Sequence, residues 1–131
     1  MADAPRPAHD PLLRALVKGV EQQAGDGSIK MPITLWVGGT VVWGSLTTWA
    51  RYLAGLVDYF QTVSGAGGEL FEPIYNDLPK HKAPDGQHVH LVGARVYGPD
   101  GAAIPPTFGV PWRGRIAEID AWSFGVLAQQ Q

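Results

Sequence analysis

Ile33-Thr34-Leu35-Trp36-Val37-Gly38-Gly39-Thr40-Val41-Val42-Trp43-Gly44-Ser45-Leu46 is the stretch that decides the fold. Apolar and polar residues alternate on both sides of a Gly-Gly pair, the period of two that a strand with one buried face requires. Ile33, Leu35 and Val37 share one face, with Thr34 and Trp36 on the other; beyond the glycines, Val42, Gly44 and Leu46 line up against Val41 and Trp43. A glycine pair supplies the positive φ angles of a tight hairpin turn, so the segment reads as two antiparallel strands. Trp36 and Trp43 fall on one side and are placed to stack across the pair, as packing or as a ligand-stacking aromatic pair.

Downstream the period changes. Trp49, Tyr52, Leu53, Leu56, Val57, Phe60 and Val63 recur at helical spacing, Thr47 or Thr48 can cap the start, and Gly65-Ala66-Gly67-Gly68 ends the run. This amphipathic helix should pack over the sheet, or else form a dimer face. Upstream, Asp10-Pro11 has the form of an N-cap followed by proline at the first helical position. Leu12, Leu13, Leu16, Val17 and Val20 make an apolar stripe that runs to Gly25 or Gly27, with Arg14, Lys18 and Glu21 outside it. Residues 1–9 read as a disordered leader and 10–128 as a single globular domain.

Residues 69–87 read as a loop with a short helical turn and one basic tip, Lys80-His81-Lys82. His88 to Tyr97 then reads as a long strand, with a turn at Gly98-Pro99-Asp100-Gly101 and a Pro105-Pro106 loop after it. The final segment, Trp112-Arg113-Gly114-Arg115-Ile116-Ala117-Glu118-Ile119-Asp120-Ala121-Trp122-Ser123-Phe124-Gly125, is strand-rich. Trp112, Gly114 and Ile116 point one way and Arg113 and Arg115 the other, and Gly114 marks a bulge, a bend or a close backbone approach. Further on, Ile119, Ala121 and Ser123 oppose Asp120, Trp122 and Phe124. The order of elements predicts an α+β fold: a small, strongly bent antiparallel sheet or barrel of the Sm or SH3-like kind, with an N-terminal helix and an inserted amphipathic helix.

Composition removes several functions. The 131 residues contain no cysteine, which excludes disulfides, thiolate metal sites and thiol catalysis and fits a reducing cytoplasm. No run approaches the ~20 apolar residues of a membrane span. A net charge of −2 disfavours a nucleic-acid surface built from clustered Lys and Arg. Charged residues are only 17% of the chain and there are five tryptophans, so an exposed apolar patch and hence self-association or a protein partner is expected.

His88 and His90 project from one strand face at a spacing that starts many metal sites, with His81 and Asp85 as imaginable further ligands. No cysteine and no helical His-Glu pairing supports them, and the expectation is no metal and no cofactor. No Gly-x-Ser-x-Gly elbow or Ser/His/Asp set is present, and Gly65-Ala66-Gly67-Gly68 follows a helix and lacks the Lys-Ser/Thr of a phosphate loop. Glu118 and Asp120 share a strand face, but Arg113 and Arg115 stand ready to pair with them. An enzyme is not expected.

The run Trp112 to Asp120, followed by the aromatics at Trp122 to Phe124 and by Gly125, resembles the C-terminal signature of the gas vesicle accessory protein U family. The resemblance extends to His90-Leu91-Val92-Gly93-Ala94-Arg95-Val96-Tyr97 and more loosely to Ile33–Leu35 and Gly44–Leu46, with Tyr52 and Leu53. It implies a non-catalytic cytoplasmic protein, gas-vesicle associated, that assists vesicle assembly or organisation. Its expected partners are shell or accessory proteins and further copies of itself. Trp112, Arg113, Arg115 and Trp122 are the expected contact surface. The bland alternative makes both tryptophans core and pairs the arginines with Glu118 and Asp120. A different class of function, an Sm-like oligomeric barrel binding RNA or a small ligand, is the second expectation.

Overall fold

All five described strands join one sheet. In the computed structural model, which describes residues 10–23, 31–64, 73, 76–77, 86–104 and 109–125, α1 (Pro11–Gln23) leads into the hairpin β1 (Met31–Val37) and β2 (Thr40–Leu46). There follow α2 (Trp49–Ser64), β3 (His88–Tyr97), β4 (Val110–Arg115), a 3-10 turn (Ile116–Glu118) and β5 (Ala121–Phe124). The sheet order is β4-β3-β2-β1-β5, with antiparallel neighbours throughout. The expected leader, residues 24–30 with the expected helix end at Gly25 or Gly27, Gly65 to Gly68, Lys80-His81-Lys82, Asp85 and the Pro105-Pro106 loop lie outside the described residues.

The hairpin forms where the sequence places it, with Val37 paired to Thr40. Only Gly38 takes a positive φ, +60°, which is the φ pattern of a II′ turn rather than the double-positive I′. Trp43 lies opposite Thr34, and Trp36 opposite Val41. The expected Trp36–Trp43 stack is replaced by one from the neighbouring strand: Trp43 stacks on Tyr97 at 6.1 Å between ring centroids, with Arg95 5.9 Å above the indole.

Ile33, Leu35, Val42, Leu46, Val89, Leu91 and Ala94 make the buried face, closed by Leu13 and Val20 of α1 and by Ile116. Full burial of each such aliphatic side chain contributes about 1.5–3 kcal/mol, so this layer is what holds the fold. Asp10 caps α1 as its position before Pro11 predicts, its Oδ1 accepting from the N–H groups of Leu12 and Leu13 at 2.9 and 3.3 Å. Leu12 is the exception in the apolar stripe, 61% exposed. At 100° per residue it falls on the flank of an arc centred between Leu13 and Val20.

β3 changes its pattern midway. Its pairing slips against β2 between Trp43 and Ser45 and against β4 between Leu91 and Ala94, and Gly93 at the slip has φ +63°. This bulge turns the alternation by one residue. Ahead of it, Val89 and Leu91 face the core while His88, His90 and Val92 face away; after it, Ala94 is in the core and Arg95 faces away. α2 lies on that second face, its Gly55 within van der Waals reach of Val92 and Pro111. The two helices therefore cover opposite faces of the sheet.

The last segment differs most from expectation. β4 runs through Gly114 unbroken, and the break comes instead at the 3-10 turn Ile116–Glu118. Ile116 N donates to Gln87 O and Asp120 N to Trp36 O, so residues 116–120 carry the chain from one outer strand to the other. A flat five-strand sheet would separate those strands by about 19 Å at ~4.8 Å per step. A link containing a 3-10 turn reaches roughly 16 Å at ~2 Å per 3-10 residue. The sheet must curl to be joined this way. It is nonetheless open: β4 and β5 do not pair with each other, so the closed barrel is not formed.

Candidate protein contact site

The four residues expected to form one surface occupy three places. Arg113 and Arg115 are exposed and project from the face of β4 that α2 partly covers. Trp112 is on the other face, half-buried against the core. Its ring lies over Gly114, so that a Cβ on residue 114 would come within 2.9 Å of indole Cζ2 and Cζ3. The glycine between the two arginines thus permits a close approach, one of the readings its position suggested. Trp122 is on β5, the opposite outer strand, paired with Leu35 and turned to the core side.

Around Arg113 the structure assembles residues from three elements. Register sets His90 opposite Arg113 and His88 opposite Arg115. Arg113 Nε donates to Nε2 of His90 over 3.1 Å, and its guanidinium lies 5.8 Å from the Trp49 ring centroid. His90 is 3% exposed. Trp49 meets its ring edge-on at 5.3 Å and Tyr52 at 4.8 Å, both from the first turn of α2. An arginine Nε–H can only donate, so Nε2 of His90 carries the lone pair and the ring proton sits on Nδ1. Burial first, and then the charges of Arg113 and His88, push the His90 pKa down from 6.5 to about 3. Burial likewise raises the Tyr52 hydroxyl above 10.0, opposed by Arg113. Both rings are neutral at ordinary pH.

This arrangement bears on the metal question. The usable lone pair of His90 is already committed to Arg113, whose cation would also repel a metal ion. Among the described residues no group of three or more His, Asp or Glu is placed to hold one. A cleft of about 250 Å³ opens beside His88 and His90, walled by Val17, Lys18 and Glu21 of α1. Glu21 Oε1 accepts from Trp49 N at 2.9 Å, so a side chain of α1 satisfies the N-terminus of α2. Thr48 Oγ1 adds the local cap, accepting from Arg51 N at 3.1 Å.

The acidic residues near the arginines have separate roles. Glu118 reaches Arg115 at 4.0 Å with both side chains more than half exposed, a weak pair. Asp120 Oδ2 accepts from Gly38 N at 2.9 Å, fastening the β4–β5 link to the hairpin turn.

A second cluster sits at the β5 edge. Asp10 Oδ2 accepts from the indole N–H of Trp122 at 2.9 Å, and Phe124 stands edge-on to Trp122 at 5.4 Å. That hydrogen bond, with the Leu13 and Leu12 amides behind it, holds the Asp10 carboxyl below its usual 3.8. Phe124 is 61% exposed, as is Leu12 two residues from the shared aspartate. Sequence reading missed Leu12 and Phe124 because each sits in a pattern that looks like core. The signal available was that β5 is short and last, hence an edge.

A family model described as gas vesicle protein GvpU-like matches residues 10–127, and the chain belongs to that family. No curated protein and no solved structure matches it.

Proposed function

Taking gas vesicle family membership as the premise, we propose that the chain is a non-catalytic accessory protein, cytoplasmic and vesicle-associated, that assists vesicle assembly or organisation through protein contacts. The observation that carries this reading is the apolar corner where exposed Leu12 of α1 and exposed Phe124 of the outer strand β5 flank the half-buried Trp122. Large exposed side chains gathered at one corner suit a hydrophobic shell or accessory protein. Of the four residues first considered, Trp122 belongs to this corner, Arg113 and Arg115 form a separate polar contact, and Trp112 supports β4 from the core side. Self-association is carried with the same proposal: a salt-resistant oligomer in light scattering would mean that the corner is consumed by further copies. The leading helix, the strand order and the 3-10 turn before β5 also support a curled Sm or SH3-like half-barrel as the finer description of the fold.

The test is flotation with isolated gas vesicles. The wild-type protein is expected to rise with the vesicles, and the Leu12→Ser, Phe124→Ser double variant to stay below with its melting temperature unchanged. Equal flotation of the two proteins would refute the corner as the contact.

A further inference from the structure

β4 is an outer strand of the described sheet, and its register fixes which of its backbone groups point away from β3. Ile116 N donates to Gln87 O. Antiparallel ladders alternate every two residues, so Gly114 and Trp112 turn their N–H and C=O toward β3, and Arg113 and Arg115 turn theirs outward. Among the described residues no strand pairs on that side. The same two residues carry exposed cationic side chains on one face, two positions apart. An edge with no pairing strand among the described residues is a template for an added one.

The side chains are not equivalent. Arg113 is held from behind: its Nε is taken by a buried histidine and its plane lies near Trp49, which leaves the terminal nitrogens of the fork facing outward. A guanidinium oriented in this way loses little freedom on meeting a carboxylate, and its geometry matches one in a bidentate manner. Among the described residues Arg115 is engaged only by the weak 4.0 Å contact with Glu118, which a better-placed carboxylate would displace.

From this juxtaposition we infer that the β4 edge is a docking site for an extended acidic peptide segment, bound by strand addition and carrying carboxylates at alternate positions. Residues directly opposite Arg113 and Arg115 on an added strand are themselves two apart and on one face, so an acidic-x-acidic sequence meets both arginines. Adjacent carboxylates would point to opposite faces and reach only one. The inference rests on the protein-contact reading of function and names the chemistry of one partner, at an edge distinct from the apolar corner.

The experiment uses the full chain and a fluorescein-labelled peptide, Thr-Val-Glu-Val-Glu-Val-Thr. Two controls accompany it: one with lysine for glutamate, and one of identical composition with the glutamates adjacent. Binding by fluorescence anisotropy should be tightest for the alternating peptide and about fivefold weaker for the adjacent one, the scale of one exposed ion pair. Arg115→Ala, at an exposed site that leaves the fold intact, should weaken binding by a similar factor. Amide exchange at Arg113 and Arg115 should slow on binding, with no change at Trp112 and Gly114. Equal affinity for all three peptides, or protection appearing on β5 instead, would overturn the inference. So would Arg113 and Arg115 amides protected without peptide in a concentration-dependent way, which would give the edge to a second copy of the chain. Peptide binding that fails while vesicle flotation persists removes this inference alone; the reverse removes the apolar corner alone.

Discussion

The guanidinium of Arg113 and the imidazole of His90 are joined by a 3.1 Å hydrogen bond in which the histidine is the acceptor. The pairing requires a neutral ring, and burial among Trp49, Tyr52 and the β3–β4 ladder enforces one. A cation is thereby steadied by a neutral base instead of a carboxylate, and its charge remains available to solvent.

Acid should therefore weaken the fold earlier than carboxylate titration alone would. The folded-state pKa of His90, about 3, lies below its ordinary 6.5, so the folded form binds fewer protons. Its contribution is fully present above pH 6.5 and is lost as pH falls toward 3, with a slope of about 1.4 kcal/mol per pH unit. Urea unfolding at pH 7 and at about pH 5 should differ by roughly 2 kcal/mol from this group. His90→Gln keeps an acceptor for Arg113 and does not titrate, and should remove most of that difference. An unchanged pH dependence in the variant would show that the ring is not held neutral.

At the opposite edge, Asp10 serves two partners, the α1 amides and the Trp122 indole. Asp10→Ala should lower the urea midpoint, because the first amides of α1 lose their cap. Trp122→Phe should leave the cap intact while freeing the α1 terminus from β5, seen as faster amide exchange in the first turn. The carboxyl titrates below 3.8 in the folded chain. Its stabilising part is thus present above that pH and fades as pH drops through the lower folded value.

How much of this was legible in the sequence depends on whether local period or distant register decided the matter. The hairpin, α2 and the ends of β3 follow from alternation, helical spacing and capping residues, and they form where expected. The Gly93 bulge was hidden because a slip of one residue leaves the composition of a strand unchanged and reverses only its later half. The turn at Ile116–Glu118 was hidden because Arg115 to Phe124 still alternates plausibly as one strand. Strand order then separates Trp112 from Trp122, which no local pattern encodes. The Arg113–His90 pair joins residues 23 positions apart through the β3–β4 register, so the sequence, which could weigh the histidines only as a metal pair and set that aside, held no sign of their arginine partner.

Gly114 offers a sharp test of packing. Alanine there would place its methyl inside the ring of Trp112, and overpacking of this kind costs about 1–3 kcal/mol. Combining Gly114→Ala with Trp112→Leu should restore part of the loss, giving a coupling of ~1 kcal/mol or more in a double-mutant cycle of urea midpoints. Additive losses would mean that the ring moves aside freely.

Glu21 and Trp49 connect the two helices across the end of the sheet, since the Glu21 carboxylate accepts from the first amide of α2. Removing it leaves a half-buried N–H without its partner and takes a negative charge from a helix N-terminus. Glu21→Ala should lower stability by about 1 kcal/mol, and Glu21→Gln, which keeps an acceptor, by about 0.5 kcal/mol through the lost charge alone. The loss should be local as well as global: amides at Trp49 and Ala50 should exchange faster in the alanine variant, while the β1–β2 ladder keeps its protection relative to the whole. Because Trp49 also borders His90 and the Arg113 guanidinium, a loosened first turn of α2 should in addition release Arg113. Acidic-peptide affinity should then fall in Glu21→Ala, although residue 21 is not on the β4 edge. Full peptide affinity in a variant whose α2 amides exchange freely would show that Arg113 needs no support from the helix.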